Sequence, residues 1–130
     1  MEKTPKFKSR LIDSCDNASL KGCSVFVLSD GNTEEDAIKE YAFKLLERGA
    51  RVIFLCGEDA EKWHSIFDLV WVEIYEKTEE VCLTHSVDSV ISIPEEFCMC
   101  NGDIIIFAVS EELLTECAGI IEEYFLNDNK

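Results

Sequence analysis

The stretch CSVFVLSDGNTEEDAIKEYAFKLLERGARVIFLC, Cys23 to Cys56, decides the fold. Residues 23–28 form an unbroken apolar run, the pattern of a strand buried on both faces. Ser29–Thr33 then breaks the run with Gly31 and Asn32. Asn32 followed three residues later by Glu35 has capping-box spacing and predicts a helix start. Ile38, Tyr41, Ala42, Leu45 and Leu46 recur at helical intervals, and Gly49 supplies the usual stop. A second apolar run, 51–56, completes a strand–helix–strand unit of the length a parallel crossover needs.

The pattern repeats downstream. Gly57–Asp59 opens a second helix carrying Ala60, Trp63, Ile66 and Phe67, and LVWVEI (69–74) reads as a third strand. EKTEEVCLTH (76–85) is ambiguous and is read as a short helix. VDSVISI (87–93) is expected to be a short strand ended by Pro94. DIIIFAV (103–109) is another buried strand, with Val25 and Ile105 expected in the core. Ser110 then caps a last helix with Leu114, Cys117, Ala118, Ile121 and Phe125 on one face, and Glu111 and Glu112 in its first turn suit the helix dipole. Alternating strands and amphipathic helices predict a three-layer α/β/α domain around a mainly parallel, Rossmann-like sheet of about five strands. Residues 1–22 show no period and read as a basic tail and lead-in, leaving 23–130 as the single domain.

Composition narrows the class. An apolar fraction of 47% argues against disorder. No apolar stretch reaches the roughly 20 residues of a membrane span, and MEKTPKFKSR is not followed by the apolar run of a secretory signal. The formal charge is -15. Lys3, Lys6, Lys8 and Arg10 oppose only Glu2 at the start, whereas Lys130 alone among Lys and Arg opposes twelve acids from Thr78 onward. A nucleic-acid backbone and an anionic membrane both require clustered Lys and Arg, so neither is an expected partner. A small molecule or a protein is, and self-association is compatible with the sequence. Seven cysteines, several inside apolar runs, behave as small core residues in a reducing cytoplasm rather than as a disulfide framework.

In an open parallel sheet, ligands bind beyond the carboxyl ends of the strands. The best loop there is Ser29-Asp30-Gly31-Asn32-Thr33, where a glycine lets backbone amides approach a ligand at a helix start. It is equally well an ordinary turn and cap. Residues Ser24–Ile74 resemble the middle of sugar isomerase (SIS) domains, which bind phosphosugars. Gly31, Thr33 and Glu35 match that family's Gly-x-Thr-x-Glu core, while Arg48, Gly49, Ala50, Val52, Ile53 and Asp68 match the segments around its next strands. The resemblance implies an α/β frame and a small-ligand site at 29–33. The chain departs from the family twice. Residues 1–22 hold no counterpart of its earlier Gly/Ser loop, and Asp30 stands where it has a phosphate-binding Ser. A carboxylate about 4 Å from a phosphate costs roughly 1 kcal/mol in water and about 4 at a protein surface, and Glu34, Glu35 and Asp36 add to it. The implied function is a degenerate, non-catalytic SIS-like module binding a phosphosugar-like ligand or a protein.

Two further patterns give alternatives. Asp103 before an apolar strand, with Gly119 and Glu123 on the last helix, is similar to small nucleoside deoxyribosyltransferase-like enzymes; that resemblance implies Glu123 as nucleophile. Cys82 and His85, followed by Cys98 and Cys100, are four soft ligands in two close pairs, the kind of set zinc takes. With cysteine common throughout the chain, no cofactor is expected and zinc stands as the alternative. His64 reads as a surface or partly packed residue of the second helix, and position alone pairs no Ser, His and Asp. A third reading is a pure interaction module whose acidic surface meets a basic partner.

Overall fold

The computed structural model describes residues 7–13, 18–75, 82–87, 89–97, 100 and 102–128. The chain runs β1 (Phe7–Leu11), β2 (Ser24–Leu28), α1 (Glu35–Glu47), β3 (Val52–Cys56), α2 (Ala60–Tyr75), β4 (Leu83–Val87), a 3-10 turn (Val90–Ser92), α3 (Ile93–Phe97), β5 (Ile104–Ala108) and α4 (Glu111–Asp128). The five strands form one sheet in the order β1-β5-β2-β3-β4. Every pair is parallel, with Val25 opposite Ile53 on one side and Ile105 on the other. This is the expected fold class, and Val25 and Ile105 are both buried.

Alternation along the strands divides the core into two layers. Val25, Val27, Ile53, Leu55, Ile105 and Phe107 meet α1 and α2 through Ile38, Leu45, Leu46, Trp63, Phe67 and Val70. Phe26, Leu28, Phe54, Ile104 and Ile106 meet α3 and α4 through Phe97, Cys117, Ile121 and Phe125. Phe26 stacks on Phe54 with centroids 4.4 Å apart and takes the edge of Phe97 at 5.3 Å. Among the described residues no helix is long and apolar enough to cross a membrane.

Four sequence expectations need correcting. Residues 69–74 are the second half of α2, not a strand. Trp63, Ile66, Phe67 and Val70 are buried at one continuous helical interval, no Gly or Pro interrupts it, and Leu69 and Val72 are left in solvent. The strand expected at 87–93 is instead a 3-10 turn and α3. There the Ser89 hydroxyl accepts the Ile91 N–H at 3.3 Å and turns the chain, and Pro94 sits in a first helical turn, where its missing N–H costs nothing. The fourth strand is Leu83–Val87, which begins in the ambiguous segment read as a short helix and runs two residues past it. Finally, the basic lead-in is not all tail, since Phe7–Leu11 pairs with β5 along its length. Both misread strands lie at sheet edges, and β1 leaves Lys8, Ser9 and Arg10 exposed. An edge strand needs little apolar sequence, and its charges discourage further pairing.

The strand order locates the place where connections diverge. From β2 the chain steps to β3 and β4 through α1 and α2 on one face; it then returns by α3 on the other face to β5, across β3 and β2. Moving β5 to the front of the chain converts this order into the 2-1-3-4-5 order of doubly wound sheets, whose switch point lies between the strands that here are β5 and β2. α1 leaves β2 toward one layer and α4 leaves β5 toward the other, so the place where a doubly wound sheet has its binding cleft lies beyond Leu28 and Ala108.

Candidate functional site

The cleft is bordered by the loop Ser29–Glu34 and by Val109–Ser110. Val109 N–H donates to Leu28 O at 3.2 Å, which holds the two loop starts together. Ser110 caps α4 as expected, its hydroxyl oxygen accepting the Leu113 N–H at 3.4 Å. α1 starts differently from the expectation. Its N-cap is Glu34, with no side-chain cap. Asn32 donates its own N–H to Asp30 Oδ1 at 2.9 Å, an Asx turn. Gly31 sits at φ +82° with open space where a Cβ would be, so its role in the turn is conformational.

Ser29 is turned inward. It is buried, and its hydroxyl lies within hydrogen-bond reach of Asp59 Oδ1 and, at 3.1 Å, of the Cys56 carbonyl. One hydroxyl proton serves both acceptors. The other Asp59 oxygen accepts the Trp63 indole N–H at 3.1 Å, and the Asp59 carbonyl accepts the Lys62 and Trp63 amides in the first turn of α2. Asp59 thus fastens the end of β2 to the start of α2. The joint also requires Gly57, where φ is +131° and a Cβ would lie 2.6 Å from Ser29 Oγ and 2.8 Å from Ser29 O. Sequence reading singled out neither Asp59 nor Gly57 for this. The signal available was a Gly-x-Asp following a buried strand.

The rim of the cleft is acidic. Asp30, Glu34, Glu35 and Asp36 follow β2, Glu58 and Glu61 follow β3, and Glu111 and Glu112 follow β5, all exposed. Lys62 reaches back to the loop and donates to Thr33 O at 3.4 Å. Glu111, Glu112, Thr115 and Glu116 line an open depression on the first turns of α4.

A second polar cluster lies away from the cleft, where α2 packs on the edge strand β4. His64 Nδ1 is 2.8 Å from Ser86 Oγ, and His64 Nε2 is 2.7 Å from Thr84 Oγ1 and 3.3 Å from Asp68 Oδ2. Thr84 donates to Asp68 Oδ1 at 2.9 Å. Its only proton being spent there, Thr84 must accept from His64, so in the neutral ring Nε2 carries the hydrogen and Nδ1 accepts from Ser86. The sequence hid this set because His64 and Asp68 sit on a helix and Thr84 and Ser86 on a strand that was not recognised.

The remaining sequence candidates are scattered. Cys98 lies outside the described residues. Cys82 packs with the α1–α2 layer, whereas His85 stacks on Phe54 and Cys100 packs in the α3–α4 layer, on the other face of the sheet. Cys100 donates its thiol to Glu96 O at 3.3 Å. Among the described residues no group of three or more His, Cys, Asp or Glu is placed to hold a metal. Burial pushes the thiols of Cys82 and Cys117 up to about 11 and raises those of Cys23 and Cys56; these cysteines are neutral core groups at pH 7. Glu123 is exposed on α4, twelve residues and about 18 Å along the helix from its start, toward the amino ends of the strands and away from the cleft. Comparison with models of protein families, with curated proteins and with solved structures gives no match for this chain.

Proposed function

We infer that the chain is a binding module with an SIS-like frame, working at the carboxyl ends of β2 and β5 and taking a basic protein segment rather than a phosphosugar. One observation carries the reading: two donors of the loop 29–33 that a phosphate would need, the Ser29 hydroxyl and the Asn32 amide, are already engaged. The Ser29 hydroxyl is held by Asp59 and the Cys56 carbonyl, and Asp30 occupies the Asn32 amide. A phosphate would have to displace those bonds while meeting the field of Asp30, Glu34, Glu35 and Asp36. The same acids attract and orient a cationic partner. The net charge of -15 argues against nucleic acid and anionic membrane as partners.

Titration of the full chain with an oligolysine peptide and with hexose phosphates, followed by amide NMR shifts, tests this. The peptide is expected to move the amides of Gly31, Asn32, Glu111 and Glu112, and the effect should fade with salt over the usual screening range. Hexose phosphates at millimolar concentration are expected to move none of them. Micromolar binding of a hexose phosphate at Gly31–Thr33, or peptide shifts spread over acids remote from the cleft, would overturn the reading.

A further inference from the structure

The His64 cluster is more than a fastening between α2 and β4. Its atoms are connected in the order hydroxyl, imidazole, carboxylate: Ser86 Oγ to His64 Nδ1 at 2.8 Å, and His64 Nε2 to Asp68 Oδ2 at 3.3 Å with Thr84 Oγ1 bridging. The bridge fixes the tautomer that leaves Nδ1 free to take the Ser86 proton. The set is also open to solvent, since Ser86 is exposed and the His64 and Asp68 side chains are 32% and 57% accessible. A fastening would be stronger buried, and a base facing a hydroxyl at the surface is placed to meet a substrate.

We propose that Ser86 is a nucleophile with His64 as its base, and that this edge of the sheet cleaves uncharged carboxylic esters. This lies outside the cleft and does not depend on the binding reading. The backbone supplies the remaining element. Leu83 N–H donates to Arg51 O and Val87 O accepts from Gly57 N–H, so residues 83, 85 and 87 turn their main-chain groups toward β3. Strand alternation turns those of Thr84 and Ser86 outward, and β4 ends the sheet among the described residues. The Ser86 N–H therefore stands on the open edge, beside its own hydroxyl, as a donor for a developing oxyanion. Asp68 and the acidic surface disfavour anionic substrates. Leu69, next to Asp68, and Val72, one turn beyond it on α2, are each 54% exposed and offer an apolar rest for a short chain.

The step balances without a cofactor. Ser86 Oγ adds to the ester carbonyl carbon as its proton passes to His64 Nδ1, and the carbonyl π pair moves to oxygen. Collapse of that adduct breaks the bond to the alcohol oxygen, which takes the proton from Nδ1. Water then adds to the acyl-Ser86 carbonyl, giving its proton to Nδ1, and Ser86 leaves by taking that proton back. Ester and water become acid and alcohol. Ser86 and His64 are the catalytic residues; Asp68 and Thr84 are positioning residues that set the ring tautomer.

The test uses the full chain with diisopropyl fluorophosphate, whose phosphorus a reactive serine attacks with loss of fluoride, and p-nitrophenyl butyrate as substrate. One label at Ser86 is expected by peptide mapping, absent in Ser86→Ala and about a hundredfold slower in His64→Gln. Ser9→Ala, a hydroxyl lost from the opposite edge strand, should label as the natural chain does. Butyrate release should fall in step with labelling. Ring-nitrogen NMR of the unmodified chain should show His64 protonated at Nε2 and bare at Nδ1, and Asp68→Asn should mix the tautomers, which loss of a mere fastening would not do. An unlabelled Ser86, labelling undiminished by His64→Gln, or a hydrogen on Nδ1 of the neutral ring would each overturn the proposal.

Discussion

The middle of the sheet and its β4 edge are built on opposite principles. β2 and β5 are buried at every position and are held by packing, with Phe26 between Phe54 and Phe97 and Ile105 under α1 and α2. β4 has Val87 as its single buried residue and is joined to α2 by hydrogen bonds through Thr84 and Ser86. Burial in the middle contributes stability and leaves nothing free to react. Polar bonding at the edge contributes less and leaves hydroxyl, imidazole and carboxylate in water. The division would let the proposed chemistry sit at the margin without weakening the core.

The largest expected effect tests that division directly. Phe26→Ala should destabilise the fold by about 3–5 kcal/mol, since it removes a ring from the best-packed layer and leaves a cavity. Leu83→Ala, on β4 and 53% exposed, should cost no more than about 0.5 kcal/mol. Urea unfolding of both variants checks the pair, and comparable losses would mean that the edge is as tightly packed as the middle.

Next in size is the joint between β2 and α2. Gly57→Ala puts a Cβ into Ser29 and forces φ +131° on a residue that resists it. A loss of about 1–3 kcal/mol is expected. If the same unfolding measurement shows no change, the joint is softer than its geometry and Ser29 is freer to meet a ligand.

The same contrast decides what the sequence could say. Continuous apolar runs announced β2, β3 and β5, and Ser110 with Glu111 and Glu112 announced α4, because burial on both faces and capping leave signatures within a few residues. Phe7–Leu11 and Leu83–Val87 left none, because an edge strand is fixed by its neighbour rather than by its own composition. VWV at 70–72 imitated a strand while continuing a helix; only the interval Trp63–Ile66–Phe67–Val70 distinguishes them. The cleft could be placed by a loop rule, but the inward turn of Ser29 depends on Asp59, thirty positions away. The His64 cluster was illegible for the same reason.

Alkaline pH should produce a milder loss that comes from the buried thiols. The thiols of Cys82 and Cys117 are raised by burial from 9.0 to about 11, and burial raises that of Cys56 as well. Their protonated forms are favoured in the folded state, so the stabilisation is complete below pH 9 and is lost as pH rises through about 11. The stability curve should therefore be flat from pH 7 to 9 and fall beyond it. Cys117→Ser should blunt the fall if the core thiols are its source; an unchanged slope would assign it elsewhere.

The smallest expected change in stability falls on Asp30, and it bears most on function. Asp30→Ser restores the residue type that SIS domains carry at this position and removes one negative charge from the loop. Serine can still accept from the Asn32 amide, though more weakly, so stability should shift by no more than about 0.5 kcal/mol. If charge alone kept phosphates out, the variant would gain hexose-phosphate binding, since repulsion of about 1–4 kcal/mol would be relieved. The geometry argues otherwise, because Ser29 stays fastened to Asp59 and the Cys56 carbonyl whatever stands at position 30. Neither form should therefore bind hexose phosphates in calorimetric titration, and the substituted loop should bind an oligolysine peptide less well than the natural one. Phosphate binding gained by Asp30→Ser would show that the loop is closed by electrostatics rather than by its hydrogen bonds, and would return the cleft to the phosphosugar-binding reading.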